Sequence, residues 1–79
     1  MLKSAKEMFE ELGYELIQDD MNWLIYSVNG SKWWSFNIDF NKNDKTIHFC
    51  TRNSVFGHSI DLRELKAINQ QCKELGWLE

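Results

Sequence analysis

The sequence predicts an α+β domain: a two-layer α-β-β-β-β-α chain, with a four-stranded antiparallel meander and both terminal helices on one face of it. Three observations predict this. Both chain ends carry apolar residues at helical spacing between a capping signal and a glycine. The middle alternates apolar and polar residues with a period of two. Turn-forming stretches, "DDMN", "NG" and "NKND", divide that middle into strand-length runs, and no proline interrupts them.

The first helix opens at "SAKE", residues 4–7, which reads as a capping box: Ser4 accepts from the Glu7 amide and Glu7 reaches back. Leu2, Ala5, Met8, Phe9 and Leu12 fall near one helical face. Gly13 follows as the left-handed stop, with Tyr14 behind it. The last helix repeats this grammar, with Asp61 and Glu64 at its start and Leu62, Leu65, Ile68, Cys72 and Leu75 as its stripe. Gly76 and Trp77 close it. "EELGY" and "KELGW" are thus two instances of one stop signal, and the rest of the two segments does not align as a repeat.

The strands are expected at 14–18, 23–28, 33–40 and 45–52. Asn29-Gly30 supplies the positive φ angles of a two-residue hairpin turn, which pairs Tyr26 with Trp33 and Trp23 with Phe36. The resulting inner face holds Tyr14, Leu16, Trp23, Ile25, Trp34, Phe36, Ile38, Phe40, Ile47 and Phe49. The outer face holds Ile17, Leu24, Tyr26, Val28, Trp33, Ser35, Asn37, Asp39, His48, Cys50 and Arg52. A three-residue loop or a bulge would flip part of this assignment. Residues 53–59 have no period and read as a loop.

Seventy-nine residues make one domain, 1–79, whose small core suits its four Trp, five Phe and two Tyr. The net charge of −3 is uneven: −4 over residues 1–20, +2 over 21–60 and −1 over 61–79. An acidic chain is a poor general phosphate binder, which argues against nucleic acid as partner. Cys50 and Cys72 fit no metal or disulfide framework and read as free thiols of a cytoplasmic protein. The first residues carry no apolar signal-peptide core, and no apolar run approaches a membrane span.

On the outer face, Trp33 and Tyr26 with Leu24 and Val28 form an apolar island, with Arg52 on the same side. Aromatic pairs with aliphatic neighbours are what interface hot spots are made of. The plainer reading is a cross-strand pair that only braces the hairpin, or an island covered by the loop bearing Val55 and Phe56. A base-stacking platform is the alternative function: single-stranded nucleic acid on Trp33 and Tyr26, with Lys32, Lys45 and Arg52 on phosphates. Asp39, His48 and Cys50 share this face, but three such ligands on an open sheet fall short of a metal or catalytic site. Asp39 and His48 read instead as a surface pair, and His58 as exposed. The acids from Glu7 to Asp20 read as a solvated helix face and turn. No phosphate loop, nucleotide fingerprint or paired-carboxylate cleft is present, so neither a cofactor nor enzymatic activity is expected.

The α-β-β-β-α pattern resembles the double-stranded-RNA-binding domain, but "DLRELKAINQ" stands where that family carries its basic cluster, and this chain has a further strand. Closer are its ends. "AKEMFEELGYELIQDD" and "ELKAINQQCKELGWLE" resemble small uncharacterised phage, prophage and mobile-element proteins of Gram-positive bacteria. The resemblance implies a cytoplasmic accessory protein that binds a host or phage protein; it brings no site residues with it. The expectation is therefore a non-enzymatic interaction domain docking through its outer sheet face, with a homodimer through that face also open.

Overall fold

In a computed structural model, which describes residues 3–29, 35–52 and 59–78, the elements follow the expected order. They are α1 (Ala5–Glu11), β1 (Glu15–Asp19), β2 (Trp23–Asn29), β3 (Ser35–Asn41), β4 (Thr46–Arg52) and α2 (Leu62–Glu74). The fold is α+β, with one open antiparallel sheet in the order β1-β2-β3-β4. Two compact units divide the chain: Met1–Gly13 with Ser59–Glu79, and Tyr14–His58.

In the helical unit, the capping chemistry is as the sequence predicts. Ser4 Oγ accepts from the Glu7 amide at 3.2 Å, and Asp61 Oδ1 accepts from the Glu64 amide at 2.9 Å. The glutamates reach back to the cap amides of Ser4 and Asp61. Gly13 and Gly76 take φ of 93° and 80°, a conformation that costs a residue with a Cβ. Behind Gly76, the Trp77 amide donates to Cys72 O at 2.9 Å and the Gly76 amide to Lys73 O at 3.0 Å, the two bonds of a Schellman stop. A further cap joins the helices. Glu74 Oε2 accepts from the Ala5 amide at 2.7 Å, so the last turn of α2 satisfies an open donor at the start of α1.

The buried side of α2 is turned from the expected stripe. Glu64, Ala67, Ile68, Gln71 and Cys72 are buried, whereas Leu62 and Leu65 are 64% and 55% exposed. Small Ala67 lies where helices can approach closely, and the buried Glu64 carboxylate is satisfied by its capping bond to Asp61.

In the sheet unit, β2 and β3 pair from Trp23↔Asn41 to Asn29↔Ser35, so residues 30–34 separate them. That is five residues where the sequence suggested two, and an odd change in loop length reverses a strand. The assignment of β2 is therefore corrected. Leu24 and Tyr26 are buried, at 6% and 1% exposure, on one face with Phe36, Ile38 and Phe40. Val28 shares that face and is half-buried. Trp23 and Ile25 move to the opposite face beside Asn41 and Asp39. On the buried face Tyr26 meets Phe40 edge-on at 6.3 Å, and Tyr14 meets Phe36 edge-on at 6.5 Å. A bulge between Leu16 and Gln18 shifts the β1–β2 register. The β3–β4 ladder is regular, and Phe40↔Ile47 and Ile38↔Phe49 keep the expected faces. Phe49 stacks on Phe36 at 5.9 Å, yet it remains 51% exposed at the sheet edge.

Candidate functional site

The second face of the sheet is polar and open: Trp23, Ile25, Ser27, Ser35, Asn37, Asp39, His48, Cys50 and Arg52 lie on it, and none of them is buried. Of the five residues the sequence singled out for docking, the structure keeps one on this face. Arg52 is exposed there, opposite Ser35. Tyr26, Leu24 and Val28 belong to the buried face, because the longer β2–β3 connection turned β2 over. Trp33 lies outside the described residues, as do Val55, Phe56 and His58. The Tyr26 ring is thus no part of an exposed stacking platform.

A groove of about 450 Å³, the scale of a small recognition cleft, crosses the polar face. Ser27 and Asn29 of β2, Ser35 and Asn37 of β3, and Cys50, Thr51 and Arg52 of β4 line it, with Ile17 at its end. The strand pairs Asn37↔Cys50 and Ser35↔Arg52 bring these groups side by side. Beyond it, Trp23 sits 6.1 Å from the His48 ring, and Ile17 is 51% exposed. Sequence reasoning missed Trp23 and Ile25 as open-face residues. β2 is apolar at both parities, and the sign of its true facing was that only the 24-26-28 set is apolar throughout, while the 23-25-27 set ends in Ser27.

Asp39 stands opposite His48 in the ladder, but the two do not bond as a surface pair. His48 Nε2 lies 3.1 Å from Thr46 Oγ1 on its own strand, and Asp39 Oδ2 accepts instead from Cys50 Sγ at 3.7 Å. Desolvation pushes the Cys50 thiol above its ordinary range, and the charge and hydrogen bond of Asp39 push it further. A thiol held protonated is a donor and a poor nucleophile. Among the described residues, no three His, Cys, Asp or Glu side chains form a group that could hold a metal ion. Two acceptors on this face, Asn37 Oδ1 and Asp39 Oδ1, are buried without a hydrogen-bond partner among the described residues. Such a group costs roughly 1–3 kcal/mol in a folded protein.

The acids near the start have local partners. Lys42 Nζ lies 2.9 Å from Asp19 Oδ1, Lys3 pairs with Glu11, and Asp20 organises the β1–β2 turn. Among the described residues, no helix is long and apolar enough to cross a membrane. In comparison with known proteins, the chain matches no family model, no curated protein and no solved structure.

Proposed function

We propose that the chain is a non-enzymatic interaction domain that docks a protein partner through the polar face of its sheet. The observation that carries this reading is the groove of the polar face, where hydroxyl, amide and guanidinium groups of β2, β3 and β4 converge: Ser27, Asn29, Ser35, Asn37, Thr51 and Arg52. A partner that offers complementary donors and acceptors pairs with these groups across the groove. Trp23 and Ile25 supply apolar contact next to that polar centre, and Arg52 offers a charged fork for a carboxylate at the rim. The raised Cys50 thiol supports binding over covalent chemistry. Arg52 is the one cation among the described groove-lining residues, which favours a protein over a nucleic-acid strand, whose backbone needs clustered positive charge. The resemblance of the chain ends to phage and mobile-element proteins suits an accessory protein of this kind.

The test is affinity capture from host and infected-cell lysates, comparing wild type with Trp23→Ala and Arg52→Glu. Circular dichroism checks that both variants fold. The expected result is a captured protein that both folded variants lose. Capture of the same protein by wild type and both variants places docking elsewhere and ends this reading.

A further inference from the structure

Among the described residues, strand β4 has an unpaired side. It runs seven residues without a proline, pairs with β3 in an unbroken register, and six of its seven residues are exposed. In the described sheet it has a neighbour on one side alone. The backbone N–H and C=O groups of the other side are a template for a further strand.

The sequence of β4 says which strand fits. Thr-Ile-His-Phe-Cys-Thr-Arg is compatible with itself when run antiparallel about its central residue. Phe49 then meets Phe49 of a second copy, and Ile47 lies opposite the second copy's Thr51. On the polar side, His48 lies opposite the second copy's Cys50, and Arg52 opposite its Thr46. The strand's one formal charge, on Arg52, faces a hydroxyl and not its own kind, so no like-charge pair opposes the contact. This register uses all seven residues, and any slide along the strand gives up pairs. It also gives Phe49, half-exposed as a monomer and stacked on Phe36 within its own chain, a second aromatic neighbour.

We propose that β4 pairs with β4 of a second copy, about a two-fold axis at Phe49, to form a continuous eight-stranded sheet. The ends of that sheet would be two copies of β1, whose bulge and acidic residues oppose further pairing. Association through one edge per chain closes at the dimer. The contact rests on the backbone of an edge and does not depend on the polar-face docking reading, although Cys50, Thr51 and Arg52 of β4 belong to both.

Light scattering over a range of concentrations, with site-directed cross-linking, tests this. In a Cys50→Ser background, Phe49→Cys places its thiol opposite its own copy, with Cα atoms ~4.5–5.5 Å apart in an antiparallel pair, a spacing a disulfide spans. Thr51→Cys instead lies opposite the second copy's Ile47. The expected results are a wild-type mass twice that of one chain, reduced to one chain by Phe49→Lys, and a covalent dimer from Phe49→Cys but not from Thr51→Cys alone. Mixing Ile47→Cys with Thr51→Cys gives a cross-linked heterodimer, an arm that leaves Phe49 in place. A wild type that stays monomeric overturns the proposal. So does a dimer in which the 47–51 mixture fails to cross-link, or in which Thr51→Cys alone links as readily as Phe49→Cys.

Discussion

The two edges of the sheet carry the same backbone problem and treat it differently. β1 runs five residues, starts with Glu15, ends with Asp19, and breaks its register at the bulge between Leu16 and Gln18. β4 runs seven, holds an unbroken register, and carries a single charged residue at its end. Bulges, short length and charge are the devices by which a sheet refuses further strands. One edge has all three and the other has almost none. The lesson is directional: a sheet blocked at one side and open at the other can grow once and then stop.

The largest expected effect comes from breaking the interior on which both edges hang. Tyr26 pairs with Leu16 of β1 and Ile38 of β3, and it is buried at 1% exposure. Tyr26→Ala should cost about 3–5 kcal/mol, as truncation of a buried aromatic does. Ile25→Ala, one residue away on the open face, should cost about 1 kcal/mol or less, the range of a partly exposed position. Urea unfolding of the two variants reads this directly. Equal losses, or the reverse order, would mean that β2 faces the other way.

That test bears on what the sequence makes legible. Helix ends were readable because capping is local: Ser4 with Glu7, Asp61 with Glu64, and the two glycines each act within a few residues. β3 was readable because its apolar residues occupy one parity, Phe36, Ile38 and Phe40, and its turn to β4 keeps the expected parity. β2 was not. Trp23, Leu24, Ile25, Tyr26 and Val28 are apolar at both parities, so its facing depended on the loop, and Asn29-Gly30 pointed to a turn shorter than the actual connection. The misplaced docking island followed from that one slip, since Tyr26, Leu24 and Val28 move together. Leu62 and Leu65 were misplaced for another reason: Glu64, a charged residue, takes a buried position because the cap satisfies it.

The comparison sharpens if β1 is made to resemble β4. Deleting Ile17 removes the extra residue between the pairs Leu16↔Tyr26 and Gln18↔Ile25, which leaves a regular ladder. Combined with Glu15→Thr, it gives a sheet with two receptive edges. Such a chain should grow past the dimer into larger species, because each added copy brings a second receptive edge and no step closes the sheet. Light scattering and negative-stain microscopy measure it. A variant that keeps the wild-type mass would show that the bulge and the acid are not what restrains β1.

The smallest effect lies in the turns that hold each edge strand to its neighbour. Asp20 Oδ1 accepts from the Trp23 amide at 2.8 Å and the Asn22 amide at 2.9 Å, Gln18 Nε2 donates to its other oxygen, and Lys42 lends positive charge. The backbone donors first, and these neighbours after, hold its carboxyl below the ordinary value of 3.8. In the β3–β4 turn the same role falls to an uncharged group: Asn41 Oδ1 accepts from the Asn43 and Asp44 amides at 3.0 and 3.1 Å. A carboxyl whose folded value is depressed adds stability that is present above its unfolded value and fades as pH falls through the folded one. Asp20→Asn should therefore speed hydrogen exchange of the β1 amides near neutrality, with the difference from wild type vanishing in strong acid. Asn41→Ala should loosen the β4 end by an amount that the Asn41 amide itself does not make pH-dependent. If exchange in the Asp20→Asn variant differs from wild type equally at neutral and strongly acidic pH, the charge on Asp20 is not what fastens β1, and the two turns hold their edges by hydrogen-bond geometry alone.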